Sequence, residues 1–120
     1  MKIKHIHFDD LGLDITYYIG TNQTDNYKVI DSSINPNDVW FHVNDCSSCH
    51  VLMVLPTAIS HINKKTYKKM IKRGALLCKE NTKKTVSMQN VNITYTQLKN
   101  VFKTTHVGSV ITQNTNMISI

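Results

Sequence analysis

The sequence predicts an α+β domain: a mostly antiparallel sheet, one long basic amphipathic helix packed on it, and a short additional helix. Three observations lead there. Short runs rich in Val, Ile, Tyr and Thr, bounded by Asn, Asp, Gly or Pro, recur along the chain and read as strands between turns. One window, residues 63–80, carries the 3.6-residue periodicity of a helix. The strands flank that helix and follow one another closely enough to pair mostly in sequence order, which favours antiparallel over βαβ architecture. The chain has 120 residues, 41% of them hydrophobic, which fits a single domain over 1–120 with its own core.

Each element has a local reason. Lys2–Phe8 alternates basic or His residues with apolar ones, the pattern of a half-buried strand. Asp9-Asp10-Leu11-Gly12 is a turn, and Leu13–Ile19 is the returning strand of a hairpin, ended by Gly20. Residues 26–34 form a short helix, broken by Asn35-Pro36-Asn37-Asp38. Val39–Val43 and residues 51–55 are strong β-runs joined by a short turn, and Pro56 ends the second. The long helix follows, then a strand at 91–96, then a helical turn or loop at 97–102. Residues 109–112 and 117–120 read as a closing hairpin across 113–116. No internal repeat is present.

Charge is distributed unevenly. Lys and Arg number 14 against 8 Asp and Glu, a net +6. Up to Asp45 the chain holds Lys2, Lys4 and Lys28 against seven aspartates; beyond it Glu80 is the one acid. Most of the later cations fall between Lys64 and Lys84. At about 100° per residue, Lys68, Lys69, Lys72 and Lys79 lie within about 60° of Lys65, with Arg73 close by. Tyr67, Met70, Ile71, Gly74, Leu77 and Cys78 fall on the opposite side, and Leu76 is the exception within the basic stripe. A continuous cationic ridge is therefore predicted, with Lys83 and Lys84 following it. Such a surface fits a polyanion, foremost nucleic acid. Gly74 on the buried side costs roughly 1 kcal/mol against Ala and predicts close approach to a strand.

Other classes are excluded or weak. The longest apolar run, 51–56, is far short of the roughly 20 residues of a membrane helix. The opening MKIKHIHFDDLG has no secretory apolar segment, so a soluble cytoplasmic protein is expected. The 3 cysteines are then expected to be reduced thiols. Cys46-Ser47-Ser48-Cys49-His50 matches the letters of a haem-attachment motif, but attachment needs export. A redox CxxC usually opens a helix, whereas a strand follows here. Zinc could draw on His42, Cys46, Cys49 and His50, yet no second CxxC stands at finger spacing. The plain reading is two reduced cysteines in a turn. His5, His7, His61 and His106 are scattered, Asp9-Asp10 suits a turn, and no nucleophile, base and oxyanion donor can be assembled.

The run Asp38-Val39-Trp40-Phe41-His42-Val43 followed by Cys49-His50-Val51 resembles the signature of the NFACT-R family. That signature is an acid, a Trp-[Phe/Leu]-His strand, a short turn, and a small residue before a His-Val strand. Gly74-Ala75-Leu76-Leu77-Cys78-Lys79-Glu80-Asn81 is similar to the end of the family's helix, and the run from Met88 to Thr96 to its following strand. Val107-Gly108 and the last segments resemble its closing strands. Cys49 departs from the family's usual Gly or Ala, and Cys46 is not a hallmark. The resemblance implies a nucleic-acid-binding module. In larger members it is one domain of a ribosome quality-control factor that engages the large subunit and tRNA, and a stand-alone member is linked to DNA.

Together these readings predict a non-catalytic module without a cofactor, binding RNA or tRNA ahead of DNA, with ribosome association implied by the resemblance. Lys65, Lys68, Lys69, Lys72, Arg73, Lys79, Lys83 and Lys84 are expected to contact phosphates. Trp40 and His42 share one strand face, opposite Val39, Phe41 and Val43. With His50 they either form a stacking or phosphate-contacting patch beside the ridge, or pack beneath the long helix and steady the turn. Two other classes stay open: an adaptor docking an acidic partner, and a zinc or thiol protein.

Overall fold

The computed structural model describes residues 1–57 and 61–120. β1 (Lys2–Phe8) and β2 (Leu13–Ile19) form a hairpin in full register, with Lys2 opposite Ile19 and Phe8 opposite Leu13. Its turn places Gly12 at φ +66°, a conformation that costs little only without a Cβ. α1 spans Gln23–Asp31 and so starts and stops three residues before the expected 26–34. The reason is its cap: the Asn22 side chain accepts from the Asp25 N–H at 2.8 Å, so the helix begins as soon as the chain leaves β2.

β3 (Val39–Val43) and β4 (Val51–Val54) pair antiparallel, with Trp40 opposite Leu52 and Phe41 opposite Val51. β4 ends one residue early because the Leu55 N–H donates at 2.8 Å to the buried Asp38 carboxylate, which also accepts from the Ser33 hydroxyl. α2 spans Lys64–Glu80, and Asn63 serves as its cap by accepting from the Thr66 N–H at 2.9 Å. Next come β5 (Asn92–Gln97), a single 3-10 turn (Leu98–Asn100), β6 (Val101–Lys103), β7 (Val110–Thr112) and β8 (Asn116–Ser119).

The main sheet has six antiparallel strands in the order β1-β2-β4-β3-β5-β8, and β6 and β7 form a separate ribbon. The expected closing hairpin is therefore not formed. β7 pairs with β6, a segment read as turn or loop, and β8 pairs with β5. Joining β5 covers an otherwise open edge and packs Ile118 and Ile120 against the core. Val91 and Ile120 add reciprocal backbone hydrogen bonds of 2.9 Å.

The two sheet faces carry different covers. α2 lies on the face of Ile15, Tyr17, Phe41, Val51 and Met53. A Cβ built on Gly74 would sit 2.3 Å from Phe41 Cζ, so the approach predicted for this glycine is real. The buried Tyr17 hydroxyl donates to the Met70 carbonyl at 2.8 Å and pins the helix to β2. The opposite face is covered by α1 and the β6–β7 ribbon, around Val29, Trp40, Leu52 and Val101. α2 and the sheet thus form the α+β arrangement expected.

Candidate nucleic-acid interface

The first cluster is the outer stripe of α2. Lys65, Lys68, Lys69, Lys72 and Arg73 are exposed, while Met70, Ile71, Gly74, Leu77 and Cys78 are buried beneath them. Lys69 is engaged: its Nζ lies 2.9 Å from Asp10 Oδ2. The hydrogen bond from Lys69, then its charge and the Thr66 hydroxyl, hold the Asp10 carboxyl below its usual range. Asp10 is thus a strut between the β1–β2 turn and α2, while Asp9 faces His7. Lys79 is half-buried and donates to the Ile120 carbonyl at 3.4 Å. Lys83 and Lys84 are exposed but lie beyond the helix end. Among the described residues, Lys65, Lys68, Lys72, Arg73, Lys83 and Lys84 have no carboxylate partner.

The second cluster is a row of side chains across the other sheet face. Strand register places Thr94 beside His42 and Met117 beside Thr94. His50, the residue before β4, continues the row on the far side, one step beyond the last registered pair, Phe41 and Val51. The Trp40 and His42 rings stack at 5.5 Å with 10° between their planes. His50 meets both edge-on, at 5.1 Å from Trp40 and 5.2 Å from His42. The Asn26 side chain holds His50 in place by accepting its backbone N–H at 3.0 Å.

These rings floor a cavity of about 510 Å³. α1 supplies one wall through Gln23 and Asn26, the β3–β4 turn another through Ser47 and Ser48, and the β6–β7 tip a third through Val107 and Gly108. Tyr27 ties that tip down: its hydroxyl accepts from the Thr104 N–H at 3.1 Å and lies 2.8 Å from the Ser109 carbonyl. Gly108, at φ +86°, leaves no room for a Cβ against Gln23. Burial holds His42 below the ordinary imidazole range and, with His42 adjoining, brings His50 to about 3, so His50 is neutral at physiological pH. Trp40 Nε1 and His50 Nδ1 are buried without a hydrogen-bond partner among the described residues. Each such group costs about 1–3 kcal/mol when left unpaired.

The expected aromatic patch beside the ridge needs correction. Trp40, His42 and His50 do come together, but on the sheet face opposite α2, because strand alternation that turns Phe41 to Gly74 turns its neighbours away. Trp40 packs under α1, not under the long helix. Of the cations expected to contact phosphates, Lys83 and Lys84 alone, among the described residues, approach the aromatic side: they line a second cavity that shares Gln23, Asn26, Ser47 and Ser48 with the first. The proposed zinc set is also divided. Cys49 turns to α2, where its Sγ lies 3.9 Å from Cys78 Sγ, whereas His42 and His50 face α1. Among the described residues, no three His, Cys, Asp or Glu converge as metal ligands. Hydrogen bonding from Cys78 lowers the Cys49 thiol, and that same contact with burial raises Cys78. The close thiol pair is thus Cys49–Cys78, a long-range contact that the CxxC spacing concealed.

Sequence reasoning missed Gln23, Asn26, Thr94, Val107 and Met117 as cavity residues. Alternation around Thr94 was a usable signal. The others depend on which strand and helix lie alongside.

Residues 4–119 match the NFACT protein RNA binding domain. The chain belongs to this family. Curated relatives named coiled-coil domain-containing protein 25 are similar: that of Danio rerio is 35% identical over 91 residues, covering 74% of this chain and 42% of its own. That of Bos taurus is 35% identical over 92 residues, covering 74% and 41%. The chain thus spans about two fifths of the length of these relatives. Among solved structures, the C-terminal part of the fibronectin/fibrinogen-binding protein from Streptococcus suis shares the fold, with TM-score 0.74 and 18% identity over 100% of this chain and 45% of that one. Membership assigns this NFACT-R chain a nucleic-acid-binding role. The signature residues divide by task within it: Asp38 joins β3 to the end of β4, while Trp40, His42 and His50 floor the cavity.

Proposed function

We propose that this NFACT-R domain binds RNA through the outer stripe of α2, as a docking module without chemical turnover. The observation that carries the reading is that Lys65, Lys68, Lys72 and Arg73 stand on one exposed helix face without carboxylate partners among the described residues, in a family described as RNA-binding. Contacts of this kind position a phosphate backbone and carry little sequence information. The translation setting implied by the resemblance makes tRNA, in the cytoplasm and at the ribosome, the favoured ligand.

The test is a titration against labelled tRNA, single-stranded RNA and duplex DNA at several salt concentrations. Six free cations set a limiting log–log slope of roughly −4 on single-stranded RNA, at about 0.7 per phosphate. Replacing Lys68 and Lys72 with Ala reduces the magnitude of that slope by about 1.4 and weakens all three ligands together. An unchanged slope in that variant refutes the ridge. Absence of binding at low salt refutes the RNA reading and leaves the basic face as a dock for an acidic protein.

A further inference from the structure

We propose that the cavity floored by Trp40, His42 and His50 holds a single unpaired nucleobase of the bound RNA, with the adjoining phosphates passing toward Lys83 and Lys84. The inference rests on the RNA reading above and adds a second, chemically distinct subsite to it. Four observations carry it. The cavity, about 510 Å³, lies within the range of small-molecule sites and is large enough for a nucleotide. Its floor is made of stacked and edge-on aromatic rings, the surface on which extruded RNA bases are held. The floor side chains Trp40 and His50, each 2% exposed, each carry a buried polar atom without a partner among the described residues. The amides and hydroxyls of Gln23, Asn26, Ser47 and Thr94 line the walls, as the edge of a base requires.

Electrostatics chooses the base over the phosphate. Among the described residues no Lys or Arg lines this cavity, and Asp45 does. Burial disfavours the charged form of both floor imidazoles, so a phosphate placed there would find little counter-charge. The cations stand instead in the neighbouring cavity, across the shared Gln23, Asn26, Ser47 and Ser48. A base in one cavity and its phosphate over the other is the division of labour typical of single-strand recognition.

Trp40 is the only tryptophan, so its emission reports on this cavity alone. The experiment compares a short single-stranded RNA with an oligonucleotide of equal length and charge that lacks bases, following affinity by anisotropy and Trp40 by fluorescence. The expected result is 5- to 150-fold tighter binding of the base-bearing strand, on the order expected for stacking one base, with a change in Trp40 emission for that strand only. His42→Ala should remove the preference while leaving the salt slope intact. Equal binding of both strands with silent Trp40 emission overturns the base site but spares the α2 reading. Failure of both strands to bind at low salt overturns both. The strand comparison uses the unaltered chain and stands whether or not the variant folds.

Discussion

Gly74→Ala turns a helix-favouring substitution into a test of the α2–sheet contact. In an open helix the change stabilises by about 1 kcal/mol. Here the new Cβ would lie 2.3, 2.5 and 2.9 Å from three atoms of the Phe41 ring. Unstrained carbon contacts need roughly 3.5–4.0 Å, so helix and ring must separate by about 1 Å. Phe41 is fully buried and leans on Tyr95 at 6.0 Å between ring centroids, which leaves it little room to move. Overpacking of this kind costs about 1–3 kcal/mol, and contact with three ring atoms belongs at the upper end. The net expectation is a loss of about 1–2 kcal/mol, measured by urea unfolding followed by circular dichroism. Phe41→Leu is destabilising alone, and combined with Gly74→Ala it should cost less than the sum, because the smaller side chain admits the methyl. RNA affinity of the folded fraction should not change, since the ridge faces away from this contact. A Gly74→Ala protein more stable by about 1 kcal/mol would refute the close packing of α2 on Phe41.

Two further outcomes follow from the buried groups. His50 has a folded pKa of about 3 against an ordinary value of 6.5, so the unfolded chain takes up the proton first. Stability is complete above about pH 6.5 and falls as pH drops toward 3, by on the order of 1 kcal/mol per unit in the steep part. Urea unfolding at pH 7, 6 and 5 should show this slope and His50→Gln should flatten it; parallel slopes would sink the assignment. Of the three thiols, Cys46 is half-buried while Cys49 and Cys78 are buried. A disulfide-exchange reagent should therefore titrate one thiol quickly in the native protein and all three in urea, and fast reaction of two native thiols would contradict the packing.

The sequence revealed those parts of the fold that depend on short-range pattern. The β1–β2 hairpin, the β3–β4 pair, the amphipathic helix and its buried stripe follow from alternation, β-rich runs or 3.6-residue spacing. The shared face of Trp40 and His42, and their approach to His50, also follow from alternation across a short turn. What stayed hidden depends on long-range choice. Residues 101–103 are too few to announce a strand, so pattern alone pairs β7 with β8. Asn22 starts α1 through one side-chain hydrogen bond, which residues 26–34 do not foreshadow. Which helix covers the Trp40 face is a matter of topology, so alternation alone does not tell a patch beside the α2 ridge, or a Trp40 packed under α2, from the observed packing under α1. Cys49 and Cys78 meet only because α2 returns over the start of β4.

The pairing of β8 with β5 also governs the order in which the molecule can mature. A nascent chain can zip β1 to β2 and β3 to β4 locally, but β5 waits with free N–H and C=O groups until Asn116–Ser119 has been synthesised. During that interval the open edge is a template for a second immature copy. Met117, which completes the floor of the aromatic cavity, arrives on the same strand. Closure of the sheet and completion of the cavity are thus one late event, so a chain stalled before β8 is both prone to self-association and short of one part of the cavity lining.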